Sequence, residues 1–171
     1  MLAKLFQYAL LSLLAMGLAA GCDKPTARSG APGSAAPSAA PDQAQSLPAV
    51  KMTIGNTAFT VEVADSDSEQ MTGMMFRDSN PADHAMIFVF PDEKPRSFWM
   101  KNTRIPLDIV YLDHTGKVVS IRMGQPLDLR GIDSGAPAKY VIEMNLGRAA
   151  AIGLKPGSSV AIPEAVREPA K

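Results

Sequence analysis

The apolar run AMIFVF, residues 85–90, lies between His84 and Pro91. It is too short for an ordinary helix and suits a strand buried on both faces. The other apolar stretches of the region are equally short, and turn signals separate them. KMTI and TAFTVEVA alternate apolar and polar residues and are joined by Gly55-Asn56, a hairpin dipeptide. IVYL and KVVSI flank Asp113-His114-Thr115-Gly116, where Gly116 suits a positive φ. YVIEM reads as a further strand, and SVAI as a closing one after Lys155-Pro156-Gly157. Two helical pieces interrupt the pattern. Ser66-Asp67-Ser68-Glu69 has the form of a capping box and predicts a helix over 67–75; GRAAAIG predicts one or two turns ending at Gly153. Many strands, two short helices and no βαβ rhythm predict a mainly β domain, an antiparallel sandwich or barrel.

The N-terminus carries a different signal. Lys4 is followed by LFQYALLSLLAMGLAAGC: a short basic region, an apolar stretch and a small-residue cleavage zone. Residues 1–21 read as a signal peptide. Its end, Ala19-Ala20-Gly21-Cys22, resembles a bacterial lipobox, with Ala19 where an aliphatic residue is usual. This predicts acylation at Cys22 and a membrane partner reached through that lipid, with the chain exported to face the periplasm or the cell exterior. Cys22 is the only cysteine, so the chain has neither a disulfide nor a second thiol. Residues 22–49 are rich in Ala, Pro and Ser, with almost no large apolar side chain. Such a segment cannot bury enough surface to offset its ordering entropy, and it reads as a disordered tether.

One domain follows, over 50–163, with a tail over 164–171. The whole chain holds 17 basic and 17 acidic residues, and the signal peptide removes one base, Lys4. A nearly neutral domain gives no electrostatic case for nucleic acid. No phosphate loop or nucleophile elbow is present, and His84 and His114, the only histidines, form no zinc pattern. The sequence therefore names no catalytic residue, no metal site and no cofactor.

The densest chemistry lies in SFWMKNTRIPLD, residues 97–108. If 98–101 were a strand, Phe98 and Met100 would face the core with Leu107, leaving Trp99 and Lys101 outside. An aromatic beside a cation and an amide suits a sugar, a peptide or another polar ligand. The same residues also suit a structural corner. Asn102 and Thr103 can bond the backbone at a bend, Pro106 fixes φ, and Asp108 can accept from loop amides or pair with Arg77 or Lys101. The candidate cluster, ligand site or corner, is Arg77, Trp99, Lys101, Asn102, Thr103, Asp108 and Glu143. Asp108 and Glu143 could supply acid–base groups. Met71, Met74 and Met75, at helical spacing, form either a thioether site for copper or an ordinary buried stripe, and the stripe is the simpler reading.

GMMFR (73–77), AMIFVF (85–90), FWMKNTRIPLDIVYLD (98–113), YVIEM followed by Gly147, and GLKPG (153–157) occur in this order. Together they resemble the family known as domain of unknown function 192. Met74 stands where leucine is usual, Ala85 where glycine is usual, and Ser158 where an acid is common. The resemblance implies a small, mostly β fold at the cell envelope, and it implies no activity and no catalytic residue. The expected function is a non-catalytic binding or assembly module of the envelope, with an envelope ligand or protein as partner. The alternatives are a small hydrolase or carbohydrate-processing enzyme using Asp108 or Glu143, and methionine-based copper binding.

Overall fold

The computed structural model describes residues 43–168. It is mainly β. The strands are β1 (Ala49–Ile54), β2 (Thr57–Ala64), β3 (His84–Phe98), β4 (Leu107–Leu112), β5 (Val118–Gly124) and β6 (Ile132–Asn145). The helices are α1 (Asp67–Thr72) and α2 (Arg148–Ala151), with a 3-10 turn at Glu164–Val166. The strands form one sheet in the order β1-β2-β3-β6-β4-β5. It is mixed and does not close into a barrel: β2 and β3 run parallel, and the other neighbours are antiparallel. The parallel pair follows from the link between β2 and β3. That link contains α1 and returns the chain to the end of the sheet from which β2 started, so β3 repeats its direction.

Both faces of the sheet are buried. Met52, Ile54, Ile87, Val110, Ile142 and Met144 pack under α2 and the C-terminal segment, where Ile162 and Val166 complete the cover. On the other face, Met86, Phe88, Leu107, Ile109 and Tyr111 pack with Met74 and Met100. β4 is buried at all of its positions, and apart from Asp108 its side chains are Leu, Ile, Val and Tyr.

Several boundaries move from their predicted places. AMIFVF does not stop at Pro91: β3 continues to Phe98, and its pairing with β6 breaks register between Val89 and Lys94 to pass the proline. SVAI makes no full strand. It runs along the edge of β5 through a single bridge, Lys117–Ser159, with Val118 N–H donating to Ser158 O at 2.8 Å. The capping box at Ser66 is present in both directions, but α1 ends at Thr72 because Gly73, at φ +48°, turns the chain out of the helix. Met71, Met74 and Met75 therefore form no common stripe: Met74 and Met75 are buried beyond the helix, and Met71 is exposed.

Residues just before Val50, read from composition as tether, pack on the domain. Gln45 Nε2 donates to Glu69 O at 3.0 Å, which also accepts from Gly73 N–H, and to Gly73 O at 2.9 Å, so it ties the end of α1 to the N-terminal segment. Leu47 N–H donates to Glu62 at 3.0 Å. At the other terminus Tyr140 donates its hydroxyl proton to Arg167 O at 3.0 Å, so the start of the tail is also packed. The signal peptide, Cys22 and most of the tether lie outside the described residues. Among the described residues no helix is long and apolar enough to cross a membrane.

Candidate functional site

The cluster named from the sequence separates into three places. Arg77 does not meet Asp108. Its guanidinium grips Glu62 with two bonds of 2.8 Å and also donates to Gln45 O at 3.0 Å. Burial pushes the Glu62 carboxyl up, but the Arg77 fork and the Leu47 amide outweigh it and hold the group below its ordinary value. Asp108 meets neither Arg77 nor Lys101. It is buried, and its Oδ2 accepts from Ala149 N–H at 2.8 Å. α2 begins at Gly147, which has no side chain to cap it, so a carboxylate from β4 serves its first turn instead.

The ridge itself is a corner. The chain leaves β3 after Phe98, and Asn102 takes φ +55°. Asn102 O accepts from Phe76 N–H at 2.9 Å, Met100 N–H donates to Asp128 O at 2.8 Å, and Leu127 N–H donates to Thr103 O at 3.0 Å. Thr103 is buried, and its hydroxyl donates to Lys101 O at 3.3 Å. Thr103 and Asp108 thus bond backbone groups through their side chains, whereas Asn102 serves the corner through its own backbone and its side-chain amide donates to Met75 Sδ. Met100 and Leu107 are buried as expected, whereas Phe98 is only half-buried, set edge-on against Phe88 and Tyr111. Trp99 remains 46% exposed, with Lys101 Nζ 5.1 Å from its ring.

The third place is a cavity of about 30 Å³. Its lining includes Glu143, Phe88, Phe98, Trp99, Thr103 and the turn Gly73–Met75. Space for one water needs roughly 10–15 Å³, so the cavity admits one small group and not a whole ligand. Met71, 64% exposed, stands with Trp99 at its mouth. Four segments that carry the family resemblance thus meet here: GMMFR, AMIFVF, FWMKNT and YVIEM. Gly73 has to be glycine for this approach, because a Cβ would lie 3.2 Å from the Phe88 ring and 3.7 Å from Glu143 Oε2.

Glu143 is 95% buried and makes no salt bridge among the described residues. Burial pushes its carboxyl up to about 8, against the pull of Arg77 and of the Met74 amide. It is opposite Ile109 across the β4–β6 ladder, whereas Asp108 is opposite Met144. Directly paired residues share a face and successive ones alternate, so Asp108 and Glu143 point to opposite sides of the sheet. They cannot act on one substrate. The sequence singled out Glu143 and Trp99, but Phe88 was legible only as core, and Gly73 lay inside the predicted helix. Of the methionines in the proposed thioether site, Met74 is core and Met75 Sδ accepts from Asn102 Nδ2 at 3.9 Å.

The family model DUF192, described as an uncharacterised ACR, matches residues 50–162. A crystal structure from Novosphingobium aromaticivorans DSM 12444, of a protein of unknown function, is 36% identical with a TM-score of 0.62, covering 68% of this chain and 86% of that one. Another, from Sinorhizobium meliloti 1021 and provisionally named a transcription regulator, is 32% identical with a TM-score of 0.61, covering 65% of this chain and 89% of that one. No curated protein matches.

Proposed function

Because the chain belongs to the uncharacterised DUF192 family, whose name assigns no activity, we propose a function from the cavity itself: a non-catalytic binding module, tethered outside the cytoplasm by a lipid on Cys22, that takes its ligand at Glu143 beneath Trp99. One observation carries this reading. A buried carboxyl without a salt-bridge partner lies at a small cavity whose mouth exposes the chain's only tryptophan. A buried acid of this kind is costly unless something compensates it, and an exposed Trp beside a cavity is a ready stacking surface. The lipobox supports the anchor, and the Ala/Pro/Ser segment supports reach from the membrane.

The hydrolase alternative loses its second group, since Asp108 caps α2 on the far face. The name of the Sinorhizobium relative suggests DNA contact, but equal numbers of acidic and basic residues give that idea no electrostatic support here.

The test is a membrane pull-down with the full chain, wild type beside Trp99→Ala. Trp99 is half out of the fold, so the variant should melt within a degree or two of wild type yet lose the captured ligand. Equal capture by both proteins, or a collapse of the melting temperature in Trp99→Ala, would sink the reading. Cys22→Ser should move the protein out of the membrane fraction or leave it held only by an uncleaved signal, and a mature N-terminal peptide with unmodified Cys22 would remove the anchor from the proposal.

A further inference from the structure

The cavity also has a chemical preference, an inference that rests on the binding reading above. We infer that the Glu143 cavity receives a primary alkylammonium group, with the alkyl chain leaving past Trp99 and Met71. The lining is electron-rich throughout. Phe88, Phe98 and Trp99 offer ring faces or edges, three methionines contribute to the wall, and Glu143 supplies a carboxyl. No lysine, arginine or histidine lines the cavity. The nearest compensating cation, Arg77, gives its two terminal nitrogens to Glu62 and Gln45, and its Nε is buried with no partner. Aromatic faces attract ammonium ions, and the attraction grows when water is excluded. The protein supplies its own example at the surface, where the Lys101 ammonium sits 5.1 Å from the Trp99 ring.

Size selects within the class. About 30 Å³ accommodates an –NH₃⁺ head and excludes a trimethylammonium head, which carries three further methyl groups. Charge selects as well. A neutral hydroxyl of the same size would leave the cost of burying the carboxyl uncompensated, while an ammonium forms the missing ion pair with additional N–H donors.

Proton linkage separates an ammonium from a neutral guest. Burial holds the Glu143 carboxyl protonated up to about pH 8. The charged groups that act on it are few: Arg77 opposes the shift, Tyr111 on the neighbouring strand is itself raised in part by Glu143, and the Glu69 carboxylate of α1 is turned back to the Ser66 amide at 3.0 Å. An ammonium binds the ionised carboxylate, so its entry releases one proton, and affinity should rise about tenfold per pH unit below about 8 and then level. A neutral guest accepting a hydrogen bond from the protonated acid shows the opposite trend.

Trp99 is the only tryptophan, so its emission reports the cavity mouth without a label. The purified full chain is titrated with n-butylammonium, 1-butanol and tetramethylammonium between pH 6 and 9. The expected result is a saturable change with n-butylammonium, about tenfold tighter at pH 7 than at pH 6, absent with the other two probes and absent in Glu143→Gln. Equal binding of 1-butanol, an affinity that falls as pH rises, or wild-type binding by Glu143→Gln overturns the ammonium assignment. If 1-butanol binds and n-butylammonium does not, the ammonium inference fails and the binding module stands. If none of the probes moves the Trp99 emission, both fail. The wild-type pH series decides the matter even if Glu143→Gln does not fold.

Discussion

Two glutamates of this sheet leave water in opposite ways. Glu62 keeps its charge because a two-pronged arginine and a backbone amide replace the lost hydration. Glu143 has the Met74 amide but no arginine fork, and keeps its proton instead. The sign of each effect on stability follows. The folded-state value of Glu62 is depressed, so its contribution is present above the unfolded value and is lost as pH falls through the folded one. The folded-state value of Glu143 is raised from 4.5 to about 8, so its contribution is complete below about pH 4.5 and is lost as pH rises through about 8. Stability should therefore decline between about pH 4.5 and about pH 8 and then level, by an amount on the order of a few kcal/mol, and Glu143→Gln should abolish that decline while leaving the acid limb of Glu62. Denaturant melts from pH 4 to 9 on both proteins check this; an unchanged slope in Glu143→Gln over that range would place its cause elsewhere. Residue types were legible in the sequence, and pairings were not. Arg77 and Asp108 looked like partners because both are charged, but partnership depends on which face of which strand each occupies, and only strand order and register decide that.

At the level of elements, the signals that held are those with a local cause. The Ser66–Glu69 capping box and the turn at Gly116 each arise within a few residues. The failures have non-local causes. Helical spacing in Met71, Met74 and Met75 suggested a helix over 67–75, but the packing of Gly73 against Phe88 stops it at Thr72. SVAI alternates like a strand, but at the sheet's margin it finds only one bridge. Gly73→Ala tests the first case. A side chain there combines a positive φ with a 3.2 Å contact, so the cost should be about 1–3 kcal/mol, and the added methyl should narrow the cavity. A thermal melt combined with the n-butylammonium titration measures both. A variant as stable as wild type with full affinity would mean that the turn relaxes freely.

For the whole molecule, the mainly β character was legible because every strand carries its own apolar pattern. The arrangement as one mixed, unclosed sheet was not, because it depends on which distant strands become neighbours. The limits of the fold were blurred for a related reason: composition places 43–49 in the tether, but Gln45 and Leu47 are held by α1 and Glu62. Deleting 25–42 should leave the melting temperature unchanged, since that stretch has no large apolar side chains to bury, whereas extending the deletion through Leu47 should lower it by several degrees. Equal melting of the two deletions would show that the Gln45 contacts contribute nothing. The position of β6 between β3 and β4 has a consequence for synthesis. The chain makes its last strand for the middle of the sheet. Until Ile132–Asn145 has left the ribosome, β1–β3 and β4–β5 are two fragments with no shared edge. Nascent chains stalled before Ile132 should be cleaved throughout by added protease, and chains stalled well beyond the C-terminal cover should resist. Such a protein stays unfinished until β6 is made, and its two halves wait as open sheet edges.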